Sequence, residues 1–411
     1  MAPFPLPIET ILGHGGQYIL YLLIGISFGA VLEVAGFGNS KILAAQFYFK
    51  DLTVLKVMFT AIIVAAVLIF ATTALGILDF NLVWVNPTYL VPGIIGGLIM
   101  GVGFIVGGFC PGTSLVAAAT FKLDGLFFVI GAFVGIFLFG ETVGFFDSFW
   151  HSTYMGRFTL DELFGVDKGV IVFAVVLMAL FMFWGGEQLE RIIGKKDLKA
   201  EPKWRYGAAG ALVLVSAGVM LLGMPTTAEK WDRISTEKEA LLADRSVQIE
   251  PAELLSLNYN DRLIVKMLDV RSESDYNTFH LLDAEHISPE DIPKKIAGFH
   301  LEPDNTVFVI MSNDEKAATD VWKTLTAESV PNVYILEGGI NNWLMTFDSA
   351  DYNASTALAS PSDDQLRFAF PVALGSRHAA SSPNPQTFAD LEFTSKVKLT
   401  SKRGATGGGC G

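Results

Sequence analysis

The sequence predicts a multi-span α-helical membrane protein, with re-entrant half-helices and an internal repeat, joined to a soluble α/β domain. Three observations carry this reading. Apolar runs long enough to cross a bilayer fill the first 224 residues, a glycine-rich unit occurs twice among them, and short apolar strands alternate with helical segments between residues 247 and 347. The composition agrees: 51% of the 411 residues are hydrophobic and only 17% are charged, against ~25% charged in an ordinary soluble protein. A single soluble domain and a wholly disordered chain are both excluded. The 29 Lys and Arg stand against 42 Asp and Glu, a formal charge of -13, which argues against a nucleic-acid partner. The two cysteines, Cys110 and Cys410, are too few and too distant for a disulfide framework or a thiolate zinc site.

Taken in order, the chain divides into residues 1–224 as membrane, 225–349 as a linker helix and soluble domain, and 350–411 as a flexible tail. Its start, Met1-Ala-Pro-Phe-Pro-Leu-Pro7, lacks the basic region of a signal peptide. Six spans fall at about 17–35, 53–78, 88–108, 125–146, 169–186 and 206–223, each near the ~20 residues a crossing helix needs. After the fifth span, Arg191, Lys195, Lys196, Lys199, Lys203 and Arg205 outnumber Glu190, Asp197 and Glu201, which marks a cytoplasmic loop. Counting outward, Lys41, Lys50, Lys56 and Lys122 fall on the same side, and Asp79, Asp161, Glu162 and Asp167 on the other. The expected placement is a multi-pass inner-membrane protein whose soluble domain and C-terminus face the periplasm.

The repeat appears at an offset of 72. Gly25, Gly29, Gly36 and Phe37 align with Gly97, Gly101, Gly108 and Phe109, and Leu43, Ala45, Phe49 and Lys50 with Leu115, Ala117, Phe121 and Lys122. Each unit reads as a glycine-rich helix, a Gly-Phe break, a short apolar segment and a long helix. Glycines four apart let helices approach closely, and packing alone accounts for such spacing. The breaks ask for more, because backbone groups freed at membrane depth must line a cavity or be buried in protein. A half-helix starting there points its amides at the cavity, where they suit an anion.

The candidate pathway residues are therefore Gly36, Phe37, Gly38 and Asn39 at the first break and Gly108, Phe109, Cys110, Pro111, Gly112 and Thr113 at the second, with Ser40 and Ser114 as further donors. Cys110 puts a thiol beside free amides, although a lone buried cysteine also serves as a small hydrophobe. Glu33 is an intramembrane ionisable group and so a functional suspect; a structural salt bridge or a cavity-lining role fits it as well. Gln46 aligns with Ala118 and gains no support from the repeat.

The sequences Gly36-Phe37-Gly38-Asn39 and Gly107-Gly108-Phe109-Cys110-Pro111-Gly112 resemble the motifs of the YeeE/YedE family of sulfur-compound transporters. The resemblance covers roughly residues 15–150. It implies passage of thiosulfate or a related sulfur anion, with Cys110 at a position where the family's larger members carry a pathway cysteine. Gly38 holds the matching position of the first unit, so one thiol is present per chain. The larger members have about twice as many units; a homodimer or a second membrane subunit would restore that number.

In the soluble part, Leu263–Leu268, Thr306–Ile310 and Asn332–Leu336 read as strands and Ala317–Leu325 as a helix, a pattern of parallel sheet. Asp269-Val270-Arg271, His280-Leu281, Gly338-Gly339-Ile340 and Trp343 resemble a rhodanese domain. The resemblance implies a nucleophilic cysteine just after the second strand and an arginine at the end of its loop. Here Met311 and Lys316 hold those two positions, and a thioether can neither be deprotonated nor carry a persulfide by the usual route. Asp314 and Glu315 would also repel an anion. The domain is accordingly read as degenerate and non-enzymatic, a docking module; Ser312 has no evident base to make it a nucleophile. His280 and His286 lack a third ligand, and no metal or cofactor is expected.

The tail carries a turn or linker at Ser381–Pro385, an edge-strand candidate at Phe393–Thr400, and the ending Gly407-Gly408-Gly409-Cys410-Gly411. Glycines before a near-terminal cysteine suit a swinging arm. The ending is similar to that of the sulfur-carrier subunit of the thiosulfate-oxidising system, which implies that Cys410 carries sulfur cargo, with a periplasmic sulfur-handling protein as partner. Two alternatives stay open: a periplasmic sulfurtransferase or sulfur carrier using Cys410, and a non-transporting membrane subunit that anchors a binding module.

Overall fold

The computed structural model describes residues 3–195, 202–347, 355–356, 364–370, 379–388 and 390–400. The chain forms two compact units that meet in sequence at Pro225 and Thr226. The first is all-helical: α1 (Ile8–Val34), α2 (Ser40–Ala45), α3 (Thr53–Ala74), α4 (Leu90–Gly107), α5 (Pro111–Ala119), α6 (Leu123–Thr142), the short α7 (Asp147–Trp150) and α8 (Leu160–Phe164), then α9 (Lys168–Ile192) and α10 (Trp204–Leu222). Six stretches among the described residues are long and apolar enough to cross a membrane, and α4 with α5 make up one of them.

The spans agree with expectation in number and differ at their ends. The first begins at Ile8, ahead of residue 17, and is kinked at Gly13, where φ is 69°. The glycines and polar residues of Gly13–Gln17 dilute the apolar signal there. The fifth runs on to Ile192, because Glu187 and Glu190 in its last turns have cationic partners, Arg205 and Lys56. Helices α3, α9 and α10 pack around Ile63, Val67, Val172, Val176 and Ala179, with Leu212 and Val213 against them. A second cluster of Phe37, Leu43, Val54, Phe109 and Ala117 gathers the two breaks. Side chains such as Phe133, Phe137 and Leu138 of α6 are exposed, as suits a helix solvated by lipid.

The second unit is a three-layer α/β domain. Its helices are α11 (Thr227–Ala243), α12 (Pro251–Asn258), α13 (Glu273–Thr278), α14 (Ile292–Phe299), α15 (Lys316–Ala327) and α16 (Gly339–Thr346). Its main strands are β1 (Gln248–Ile249), β2 (Ile264–Asp269), β4 (Glu285–His286), β5 (Thr306–Met311) and β6 (Val333–Leu336), all parallel in the order β1-β6-β5-β2-β4. Every residue of β5 is buried, as expected of a central parallel strand covered on both faces. Val307, Val309 and Met311 face one core with Leu254, Leu336 and Trp343. Phe308 and Ile310 face the other with Val321, Trp322 and Leu325 of α15.

The presumed linker helix belongs to this domain. Thr226 and Glu229 cap α11 reciprocally, Trp231 meets Trp322 edge-on, and Thr227 and Lys230 both bond Glu328. The segment read as a loose tail is likewise tied down over its described stretches. Strand β3 (Phe279–Leu281) pairs with β9 (Ala379–Ser381), and β7 (Ser355–Thr356) with β8 (Phe368–Ala369). Ser381, expected to open a turn, ends β9 instead and accepts from the Trp343 indole. Residues 393–400 add no strand. Their backbone is held by side chains: Glu253 accepts from the amides of Lys396 and Val397, Tyr334 from that of Lys398 and Asn332 from that of Thr400. His280 and His286, expected on loops, lie in β3 and β4 with Tyr276 ring-to-ring against each.

The Asp269-Val270-Arg271 signature is an ion pair with side chains 0% and 1% exposed. Arg271 Nη2 lies 2.6 Å from Asp269 Oδ2 and also donates to the carbonyl of Phe279; Nη1 donates to Asn313. Arg271→Ala would strand a buried carboxylate, a loss of about 3–5 kcal/mol. Amide exchange in β5 of the full-length protein should then accelerate by about two orders of magnitude or more, while Lys294→Ala, at the exposed pair with Asp291, should leave it unchanged.

Candidate functional site

In the helical unit the two breaks lie against each other. The chain leaves α1 through Gly36 (φ 80°) and leaves α4 through Gly108 (φ 72°), a left-handed backbone that glycine adopts without penalty. A Cβ on Gly108 would stand 3.0 Å from that of Ser40, so the second break rests on the start of α2. Phe37 and Phe109, each 1% exposed, anchor both breaks in one apolar cluster, and Phe109 meets Phe128 edge-on.

Asn39 caps α2 through the amide of Lys41. Cys110 caps α5, and Pro111 takes the first helical position, where its missing N–H costs nothing. The sulfur of Cys110 accepts from the Thr113 amide at 3.4 Å and lies 3.2 Å from the Thr113 hydroxyl. That hydroxyl in turn accepts from the Cys110 amide at 3.0 Å. Thr113 and Ser114 are buried, Cys110 and Gly112 half-buried, and Pro111 and Asn39 exposed. The thiol therefore has both lone-pair work, as a cap, and a weak S–H donor to offer a neighbouring anion.

Glu33 forms an ion pair with Lys122 at 2.9 Å, both side chains partly exposed. A Cβ on Gly38 would overlap Glu33 Oε2 and the Lys122 ammonium. Glycine at 38 thus makes room for this pair in the place aligned with Cys110. In the sequence Lys122 stands out as a cytoplasmic-side charge and as the repeat match of Lys50, with no sign that it partners Glu33. Gln46 opens a short 3-10 turn after α2.

In the sheet domain the loop after β5 carries no cysteine. Met311 ends the strand, fully buried in the core, and Lys316 is exposed at the first position of α15. The Ser312 hydroxyl is buried with no hydrogen-bond partner among the described residues. The carbonyls of Ser312 and Asn313 accept from the amides of Ile340 and Asn341, and a Cβ on Gly339 would overlap the loop's carbonyl oxygens. Arg245 pairs with Glu315 at 2.6 Å, a bond that raises the guanidinium's pKa. Burial pushes the Tyr276 phenol up, and the Asp269 carboxylate adds to it.

Two amides of the loop and the first turn of α15 are occupied from within the chain. Asp364 Oδ1 accepts from the Asp314 amide at 2.6 Å and Oδ2 from the Ala317 amide at 2.9 Å. Arg367 pairs with Asp314 at 2.7 Å, and Asn341 bonds both the Arg367 amide and the Gln365 carbonyl. Asp364, Arg367 and Asn341 gave no sequence signal, since the first two sit in a stretch without periodicity. Cys410 lies outside the described residues. Among the described residues no group of three His, Cys, Asp or Glu is placed to hold a metal.

Residues 34–238 match the family model described as Sulphur transport, and residues 250–346 match that of the Rhodanese-like domain. No curated protein and no solved structure matches the chain. The first match ends inside α11, which packs with the sheet domain, and residues 364–400 lie outside both matches.

The Gly38 contact makes a direct prediction. Gly38→Ala should lower the melting temperature of the protein in detergent, a loss of about 1–3 kcal/mol from overpacking against the ion pair. Gly29→Ala, where a Cβ meets nothing within 4 Å, should leave melting unchanged. From both matches and the fold, the chain is a fusion of a YeeE/YedE-family sulfur-transport domain, over residues 34–238, with a rhodanese-like domain, over residues 250–346.

Proposed function

We propose that the membrane domain passes thiosulfate or a related sulfur anion, with Cys110 in the pathway. The observation that carries this reading is the placement of Cys110 as the cap of α5, at a break packed directly on the break before α2. Helix α5 has nine residues, or about 14 Å at 1.5 Å per residue, well short of the ~30 Å hydrocarbon core. It is read as a re-entrant half-helix whose first amides and thiol meet the anion, with α2 as its counterpart in a two-unit repeat. The S–H donates weakly, which lets an anion be held and released. Gly36, Gly38 and Gly108 shape the breaks, Phe37 and Phe109 anchor them, and Glu33 with Lys122 forms a neutral pair beside the first.

In this reading a homodimer or a second membrane subunit completes the pathway, and the sheet domain faces the periplasm. Its rhodanese-like loop does no sulfur transfer. The domain binds the chain's own C-terminal segment as far as Thr400 and so sets the departure point of the arm carrying Cys410, a mobile thiol that takes or presents sulfur cargo to a periplasmic sulfur-handling protein.

The test is uptake of sulfur-labelled thiosulfate into proteoliposomes containing the full-length protein. Cys110→Ala is expected to lower uptake at least about tenfold, in the range of a lost specific contact of about 1.4 kcal/mol or more. Cys410→Ala should leave uptake within about twofold. Absence of uptake by the folded wild-type protein would sink autonomous transport and leave a subunit of a larger complex.

A further inference from the structure

The loop after β5 and the first turn of α15 form an anion cradle that already holds a carboxylate. Helix α15 is twelve residues long, enough for its first amides to carry the partial positive charge that draws anions. The group seated there comes from Asp364, 47 residues beyond Ala317. Both of its oxygens are used, one on the amide of Asp314 and one on that of Ala317, while Asn313 Nδ2 donates to its backbone carbonyl at 2.9 Å. Asp364 adopts φ 47°, a conformation that a residue with a side chain keeps only where its surroundings enforce it.

The enforcement is visible. Arg367 holds Asp314, and Asn341 clamps the chain on both sides of Leu366 through the Gln365 carbonyl and the Arg367 amide. Arg367 pairs with Asp314, and Arg245 pairs with Glu315 and with Glu337, which Lys396 also meets. Two amides of the cradle thus hold a carboxylate despite the two acidic residues in its loop.

We propose that residues 364–367 are a strap that closes this cradle in cis, the Asp364 carboxylate taking the amides that a small external oxyanion would otherwise occupy. The strap lies outside both family matches and so is an addition to the rhodanese-like domain rather than part of its common pattern. The inference is independent of transport and requires no flux.

Hydrogen exchange on the full-length protein in detergent tests it, with sodium sulfate as the probe and sodium chloride at equal ionic strength as the control. Asp364→Asn and Asp364→Ala are expected to speed exchange of the peptide spanning residues 314–317 about tenfold or more. Sulfate should restore protection in the variants and change nothing in the wild type. Asp364→Asn preserves shape, and exchange in β5 reports whether the domain is still folded. Unchanged exchange in both variants would overturn the strap. Sulfate protection of the wild type equal to that of the variants would show the cradle open. Faster exchange without rescue by sulfate would reduce Asp364 to a simple helix cap.

Discussion

A backbone group that leaves its helix inside a membrane has no water to turn to, and each such group costs several kcal/mol if left bare. The helical unit satisfies the groups that its breaks free. Two helices stop well inside the apolar sequence, and at each stop the chain turns through a left-handed glycine, Gly36 or Gly108, then restarts under a side-chain cap, Asn39 or Cys110. Phe37 and Phe109 bury the turns in a common cluster with Leu43, Val54 and Ala117. The polar atoms freed by the breaks are thereby held at one place with their partners fixed. Such an arrangement leaves few polar groups to act on a ligand, and the thiol of Cys110 is the chemically distinctive one among them.

The same economy of buried polarity governs the sheet domain. Asp269 and Arg271 are fully buried, and Arg271 reaches Phe279 and Asn313 as well as its carboxylate partner. Asn313 passes the connection on to Asp275 and to the carbonyl of Asp364. One continuous network therefore runs from the end of β2, through the loop after β5, to the C-terminal segment. Of the residues that carry the rhodanese pattern, Asp269 and Arg271 belong to this network.

Much of this was legible in the sequence because it follows from composition and period. Six apolar runs give six spans, and Thr306–Ile310 reads as a buried strand because nothing polar interrupts Val307 to Ile310; the strand itself runs one residue further, to Met311. Helix ends were less legible where charge intruded. Glu190 looks like the end of a span until its partners Lys56 and the Leu52 amide are seen. The least legible part is the segment after residue 350. Its stretches dock through single long-range contacts, Asp364 on two amides and Glu253 on the backbone of residues 396–397, and contacts of that kind leave no periodic trace. The Glu33–Lys122 pair was half legible: the carboxylate stood out in its span, but its partner sits in the turn after α5.

Two independent features set the loop after β5 apart. Met311 removes the thiol and, as the last residue of a fully buried strand, points its thioether into the core rather than toward a substrate. Separately, the amides that remain at the start of α15 are taken by a carboxylate of the same chain. An intramolecular carboxylate binds at an effective concentration that a free anion cannot easily match, and the bonds of Asp364, Arg367, Lys396, Lys398 and Thr400 together fasten the C-terminal segment along the domain. The domain thus holds a segment of its own chain along the sheet as far as Thr400.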